Sequence, residues 1–207
     1  MKKILLSVFI LTVLFSCSPK QNAPVDDKTK SCCKPATDST AKTISTNSIF
    51  ILNDTFETQN NKPVQLALLQ GKPTVLAMIF THCTYACPRL AHDMISIAEQ
   101  LGANRDNLNM VMVSFDSERD NPAALKKFAD ENKLDAEWIL LHGSEQAVRT
   151  LSVLLNVQFE KDAEGNFSHS NIITVLDKNG VLKFQKEGLN AQHDETVAVI
   201  EKLLGEE

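Results

Sequence analysis

A run of consecutive apolar residues at positions 74–80 constrains the fold of this chain more than any other feature. Apolar side chains at successive positions point to both faces of an extended strand, so this run predicts a strand buried on both sides, as in a parallel sheet. A second such run covers 108–115, and a shorter one covers 138–141. Because helical patterns separate these runs, we expect an α/β domain in which helices cover a central sheet.

Helical patterns lie between and after these predicted strands. In the first of them, Leu90, Met94 and Leu101 fall on one face before a stop at Gly102. The four predicted helices are 88–101, 122–131, 144–155 and 194–204. The remaining predicted strands are 49–52, which opens the domain, and a hairpin of 172–176 and 181–184 around the turn sequence Asp177-Lys178-Asn179-Gly180. This order predicts a thioredoxin-like fold, with a central mixed sheet flanked by helices.

The N-terminus has the pattern of a bacterial lipoprotein signal. Two lysines precede an apolar run at 4–15, which is shorter than the roughly 20 residues that a transmembrane helix needs and fits a secretory signal. The run ends in Leu14-Phe15-Ser16-Cys17, which resembles a lipobox. Residues 1–16 are therefore predicted to be a signal peptide and Cys17 the site of lipid attachment; an ordinary cleaved signal is the alternative. We expect the protein in the cell envelope of a bacterium, anchored to a membrane by lipid and facing the extracytoplasmic side.

The composition changes after the predicted signal. Residues 17–47 are rich in Ser, Thr, Asn, Lys, Asp and Pro and have almost no large apolar side chains, so they cannot bury enough surface to offset the entropy of ordering. We expect a lipidated, disordered tether over 17–47 and one folded domain over 48–207. Cys32 and Cys33 lie in the tether. They are interpreted as spectators, as an intermolecular disulfide, or as a pair that passes metal to the main site.

The charge balance excludes one class of partner. The chain has 21 Lys and Arg against 26 Asp and Glu, a formal net charge of −5, and removal of the signal with its two lysines makes the remainder more acidic. No block of basic residues remains that could neutralise a phosphate backbone. We expect no nucleic-acid partner.

Cys83 and Cys87 are the first candidates for chemistry, because they follow the buried strand at 74–80 and open the next helix. Residues at i and i+4 of a helix lie on one face with Cβ atoms about 5–6 Å apart. Two thiolates at that separation can hold one soft metal ion, and they can also close a disulfide. The positive end of the helix favours thiolate over thiol. The spacing thus permits both metal binding and redox chemistry.

The surrounding sequence narrows this choice. The chain lacks the Cys-x-x-Cys of a thioredoxin-type reductase, and the segment before the predicted hairpin contains His169 where such enzymes carry a cis-proline. Two thiolates and one imidazole form a ligand set that suits copper as Cu(I) or Cu(II). Cys83, Cys87 and His169 are therefore a candidate set of copper ligands, although His169 taken without further motifs is more typical of a surface histidine near a loop. Cys83 and Cys87 are also the candidate redox-active pair.

Several motifs resemble those of the SCO/SenC family of copper-binding proteins, from about residue 49 to the C-terminus. The motifs are Thr81-His82-Cys83, Cys87-Pro88, Ser114-Phe115-Asp116-Ser117-Glu118-Arg119-Asp120 and His169-Ser170. In that family the two cysteines and the later histidine are the copper ligands, and they match Cys83, Cys87 and His169. Two departures stand out, because Ser117 replaces the family's proline and Thr84-Tyr85 replaces its Pro-Asp.

The resemblance implies copper delivery to, or reduction of the cysteines of, the dinuclear copper site of cytochrome c oxidase. The implied partner is a copper-receiving oxidase subunit or another copper or thiol protein. This describes a metallochaperone rather than a turnover enzyme. The alternatives are an envelope thiol–disulfide oxidoreductase that does not depend on copper, and a sensor of copper or redox state.

Other titratable residues receive weaker predictions. Asp116 ends a buried strand near the site and is predicted either to orient His169 or the thiolates as a supporting residue, or simply to cap a turn. His82 is interpreted as a packing or supporting residue, because successive side chains of an extended chain point to opposite sides and His82 therefore points away from the side of Cys83. Three further histidines, His92, His142 and His193, are predicted to be exposed.

Overall fold

A computed structural model describes residues 45–206. The predicted signal, Cys17, Cys32, Cys33 and most of the predicted tether lie outside the described residues. The strands are β1 (Phe56–Thr58), β2 (Pro63–Val64), β3 (Thr74–Ile79), β4 (Asn109–Ser114), β5 (Ile139–Gly143), β6 (Phe159–Lys161), β7 (Phe167–His169), β8 (Ile172–Leu176) and β9 (Leu182–Glu187). The α-helices are α1 (Ala86–Leu101), α2 (Pro122–Glu131), α3 (Glu145–Leu154) and α4 (Asp194–Leu204). No helix in this part of the chain is long and apolar enough to cross a bilayer.

Seven of these strands form one mixed sheet in the order β2-β1-β5-β4-β3-β8-β9. The three central strands, β5, β4 and β3, run parallel, and β1 and β8 flank them in antiparallel orientation. This arrangement confirms the predicted thioredoxin-like α/β fold with a mixed sheet and flanking helices. β6 and β7 form a separate antiparallel hairpin outside the main sheet.

The core is densest around β3, in which every residue is buried. Its neighbour β4 is buried at all but its first residue, as a strand covered on both faces requires. Helix α1 packs over this region with an apolar face that includes Leu90, Met94 and Ile97. Since β3 ends just before Cys83 and α1 begins just before Cys87, a fully buried strand and a helix packed against the core hold the two ends of the loop that carries the cysteines.

Helix starts agree closely with the predicted boundaries where the capping residue is clear. The Asn121 side chain accepts a hydrogen bond from the Ala124 N–H at 3.0 Å, and the Ser144 hydroxyl accepts one from the Ala147 N–H at 3.2 Å. These are the side-chain caps that Asn and Ser provide at an N-terminus. Helix α1, in contrast, begins at Ala86, two residues before the predicted start at Pro88.

One local prediction is wrong, and some short strands were not predicted. The predicted strand at 49–52 is instead a 3-10 helix, Ile49–Ile51, because the Ser48 hydroxyl accepts a hydrogen bond from the Phe50 N–H and turns the chain. The sequence analysis also missed the β6–β7 hairpin, whose strands have three residues each. Runs this short carry too little alternation to separate a strand from a loop.

Candidate metal centre

Both candidate cysteines lie at the junction between β3 and α1. Cys87 is in the first turn of α1 and is 0% exposed, whereas Cys83 lies in the preceding loop and is only partly buried. The Cys87 N–H donates a hydrogen bond to the Cys83 sulfur at 3.3 Å, and the Phe80 N–H donates one to the Cys87 sulfur at 3.4 Å. The start of the helix therefore contacts both sulfurs, and no disulfide joins them.

His169 ends β7 and faces the cysteines from the opposite side. Its Nε2 atom lies 3.9 Å from the Cys87 sulfur, and its Nδ1 atom lies 3.2 Å from the Ser170 carbonyl oxygen. Because a carbonyl oxygen only accepts hydrogen bonds, the latter contact requires a proton on Nδ1. This tautomer leaves the lone pair of Nε2 available on the side of the sulfurs, as a metal-binding histidine requires.

The donor set fits one soft metal ion. The two sulfurs and one His169 nitrogen all lie within 4.8 Å of one another. Bonds of about 2.0–2.3 Å from an ion to sulfur and nitrogen place such donors up to about 4 Å apart, so only small movements are needed to close around an ion. Thiolate and imidazole donors select copper or zinc over hard cations. The structure brings the three predicted ligands together, and their role as ligands stays a prediction.

The pKa values of the two cysteine thiols are shifted in opposite directions. The Cys87 S–H donates a hydrogen bond to the Cys83 sulfur, and this contact, together with the backbone N–H groups of Cys87 and Tyr85, lowers the pKa of Cys83 to about 3 despite its partial burial. The same contact and its own burial raise the pKa of Cys87 far above the ordinary value. In the metal-free protein, therefore, Cys83 is a thiolate at neutral pH and Cys87 retains its proton.

Aromatic rings surround the imidazole. The ring centroid of Phe115 lies 5.0 Å from that of His169, and the Phe80 ring meets the imidazole edge to face at 5.9 Å. Phe167 packs against both phenylalanines, and Phe159 stacks on Phe115 at 5.0 Å. Such packing restricts the plane of the imidazole and removes water from one side of the site. The sequence analysis missed this cluster, because its members come from four separate segments.

Asp116 is buried, and both of its carboxylate oxygens accept hydrogen bonds from Arg119, one from the backbone N–H and one from Nε. Of the two roles predicted for Asp116, these contacts match the capping of a turn. The buried Asp120 contacts the cysteine loop more directly, because its carboxylate accepts hydrogen bonds from the Thr81 N–H at 2.8 Å and the Thr81 hydroxyl at 2.5 Å. Sequence reasoning gave Asp120 no role of its own, although it belongs to the same motif as Asp116.

A second group of potential ligands, His82, Asp116 and Asp120, lies beside the first. The His82 side chain is 54% exposed, and its Nδ1 atom is 3.5 Å from Asp120. The Ser114 and Thr81 hydroxyls donate hydrogen bonds to the Asp120 carboxylate, and Arg119 Nε donates one to the Asp116 carboxylate. Since internal donors already engage these carboxylates, the group is a hydrogen-bonded support rather than a second metal site.

Two of the three further histidine predictions are wrong, those for His193 and His142. His193 was expected to be exposed but is 4% exposed, and its Nε2 atom lies 3.5 Å from the buried carboxylate of Asp93. The error arose because the packing of α4 against α1, which covers this residue, depends on the tertiary fold. His142 is partly buried on β5, and His92 is exposed as predicted.

Comparison with known proteins decides the family. The sequence profile of the SCO1/SenC family matches residues 44–205, which is most of the chain. The chain belongs to the SCO1/SenC family. Among its relatives, the SCO1 protein homolog of Bacillus subtilis is 34% identical over 94 residues, 45% of this chain and 49% of that protein. The chain thus spans about half the length of that relative, and less than two thirds of the Stutzerimonas and Rickettsia relatives that it also matches.

Solved structures agree with this membership. The copper-bound ScoI of Bradyrhizobium japonicum superposes on this SCO1/SenC protein with a TM-score of 0.63 at 25% identity. The superposition covers 72% of this protein and 96% of the ScoI chain. The SCO1/SenC family lipoprotein of Bacillus anthracis has a TM-score of 0.67 at 25% identity and covers 72% and 92% of the two chains. Both comparisons support the predicted thioredoxin-like fold and the recognised family.

Proposed function

We propose that this SCO1/SenC protein binds one copper ion through Cys83, Cys87 and His169. The observation that carries the proposal is the convergence of two sulfurs and one imidazole nitrogen within 4.8 Å, from a helix start and a separate hairpin. The copper-bound Bradyrhizobium relative supports copper as the ion. The donor set itself suits copper, since thiolates favour Cu(I) and imidazole is also a good ligand for Cu(II).

Each ligand has a distinct part in this proposal. Cys83 is already a thiolate and partly exposed, so it is the donor that an incoming ion meets first. Cys87 must lose its proton on binding, which couples metal uptake to proton release. The Ser170 carbonyl holds the His169 tautomer that presents Nε2. When bound, copper supplies a soft cation that a partner with competing thiol or imidazole ligands can remove.

The biological role that fits this site is copper delivery to, or thiol reduction at, the copper site of cytochrome c oxidase. The receiving partner is an oxidase subunit or another copper or thiol protein. We also propose a lipid anchor at Cys17, a tether over 17–47 and a domain over 48–207 on the extracytoplasmic side of a bacterial membrane. The Bacillus anthracis relative, a family lipoprotein, supports the anchor.

Copper stoichiometry tests the proposal. The reduced, metal-free full chain is loaded with copper, desalted and measured by elemental analysis. One copper ion per chain is expected for Cys32→Ser/Cys33→Ser, which lacks the two tether thiols and retains the main site, and strong loss is expected when Cys83→Ala is added to it. Equal copper with and without Cys83→Ala in this background would refute the site.

A copper-independent thiol–disulfide oxidoreductase is the second candidate, favoured by the unequal exposure of the two cysteines. The Cys83 thiolate would attack a substrate disulfide, form a mixed disulfide and release one substrate thiolate. Cys87, after losing its proton, would then attack the Cys83 sulfur, releasing the second substrate thiolate and leaving a Cys83–Cys87 disulfide. Two electrons pass from the protein to the substrate, and an external dithiol must restore the pair. Full reductase activity in metal-free His169→Ala would favour this candidate.

A further inference from the structure

The hairpin that carries His169 needs support from outside itself. β6 and β7 have three residues each and lie outside the main sheet, and a short two-stranded hairpin is marginally stable by itself in water. Phe159 and Phe167 attach one face of the hairpin to Phe115. Apolar packing of this kind is non-directional, whereas a hydrogen bond prefers a defined geometry, so a hydrogen bond from the domain adds a constraint on the position of the hairpin.

Arg119 provides such a contact. It lies in the turn at 116–120, where its Nε atom donates to the buried Asp116 carboxylate. Its Nη2 atom donates to the carbonyl oxygen of Gly165, in the connection between β6 and β7, at 2.5 Å. The guanidinium also lies 5.7 Å from the centre of the Phe167 ring. One planar side chain thus joins the domain to both the connection and a strand of the hairpin.

The same turn holds the cysteine loop. Asp120, which follows Arg119 directly, binds the backbone N–H and hydroxyl of Thr81, two residues before Cys83. A further ion pair, Lys161 to Glu118 at 2.5 Å, joins β6 to this turn. The turn at 116–120 therefore contacts both segments that supply the proposed ligands, and it does so through adjacent residues.

We infer that Arg119 is a positioning residue that holds the β6–β7 hairpin so that His169 stays within reach of the two sulfurs. The inference rests on the proposed function for the identity of the ion and for the role of His169 as its ligand. Residues that support a metal ligand without touching the metal typically contribute 10–100-fold to affinity. Because His169 matters most for Cu(II), loss of Arg119 should weaken Cu(II) binding by roughly that factor and Cu(I) binding much less.

The test compares Arg119→Met with Arg149→Met in the full chain. Arg149 is a matched control, because its guanidinium lies 5.3 Å from the Phe159 ring of the same hairpin but its hydrogen bond goes to Glu145 on its own helix. Affinities for Cu(II) and Cu(I) are measured by competition with chelators, and the Cu(II) absorption spectrum is recorded. We expect Arg119→Met to move toward the spectrum of His169→Ala and Arg149→Met to match the wild type.

A double-mutant cycle separates positioning from general damage. If Arg119 acts through the imidazole, Arg119→Met should have little further effect on Cu(II) affinity in a His169→Ala background. Equal losses of Cu(II) affinity in both backgrounds would overturn the inference. Arg119→Lys is measured in parallel, because lysine keeps the positive charge but lacks the planar guanidinium that donates to two acceptors. If Arg119→Met does not fold, the Cu(II) affinity of Arg119→Lys decides whether Arg119 positions His169.

Amide hydrogen exchange of the metal-free full chain makes the inference independent of copper. Arg119→Met should speed exchange in peptides covering 159–169 and leave those covering β3 and β4 unchanged. Unchanged exchange at 159–169, or faster exchange throughout, would overturn the positioning role. A wild-type protein that binds no copper would refute the proposed function, while this exchange result would still decide the role of Arg119.

Discussion

The thiol side and the imidazole side of the proposed copper site are built in opposite ways. Cys83 and Cys87 follow a strand buried at every position; Cys87 lies in the first turn of a helix of 16 residues, and Cys83 lies in the loop just before it. His169 sits on a hairpin of two three-residue strands outside the main sheet. The thiols are thus fixed by the core of the domain, whereas the imidazole depends on a few aromatic contacts and on Arg119.

This difference suggests how one site can serve two copper states. The two thiols are pre-arranged and alone provide ligands sufficient for Cu(I), while the imidazole adds the nitrogen donor that favours Cu(II). A ligand on a weakly supported element can be withdrawn at lower cost than one on a buried helix, because local opening requires little loss of packed surface. Changes on the hairpin should therefore affect one copper state more than the other.

The largest expected effect concerns the thiol side. Because Cys83 has a pKa of about 3 in the folded protein, its thiolate is fully formed at pH 5, and its alkylation rate should stay nearly constant from pH 5 to 8. In the urea-unfolded chain the same thiol should react about tenfold faster per pH unit up to an ordinary pKa near 8.5. Mass spectrometry of the Cys83 peptide measures both profiles. A tenfold rise per pH unit in the folded, metal-free protein would show that the thiols are not pre-arranged.

The next effect concerns the imidazole side. His169→Ala should weaken Cu(II) binding by more than about 100-fold, the upper end for residues that only support a ligand, because it removes the ligand itself. Cu(I) binding should fall far less, since both thiolates remain. His92→Ala is the control, because His92 is exposed on the same helix as Cys87. Parallel losses for Cu(I) and Cu(II) would remove the proposed difference between the two sides.

The last comparison concerns stability, and its hairpin variant has the smallest expected effect. Leu76→Ala on β3, where the leucine is fully buried, should lower the free energy of unfolding by about 2–5 kcal/mol. Phe167→Ala on the hairpin should lower it by only about 1 kcal/mol, because this ring is partly buried on a peripheral element. Urea denaturation measures both variants, with the exposed Val153→Ala as the reference. A larger loss for Phe167→Ala would mean that the hairpin belongs to the central core.

The sequence predicted structure best where the conformation of a segment depends mainly on its own residues. The apolar run ending in Phe80 predicted β3, and the predicted starts of α2 and α3 were within one residue of the observed ones, because strand burial and capping are local properties. The β6–β7 hairpin, the burial of His193 and the role of Asp120 were missed, because each depends on contacts between segments far apart in the chain. The candidate ligand set came from residue type and family resemblance, and the fold supplied the distances.

X-ray absorption of the copper-loaded full chain tests the central claim most directly. The account predicts two sulfur ligands and one nitrogen ligand for each copper ion in the Cu(II) form, with the nitrogen lost in His169→Ala while both sulfurs remain. A wild-type spectrum that lacks imidazole scattering, or one that His169→Ala leaves unchanged, would contradict it.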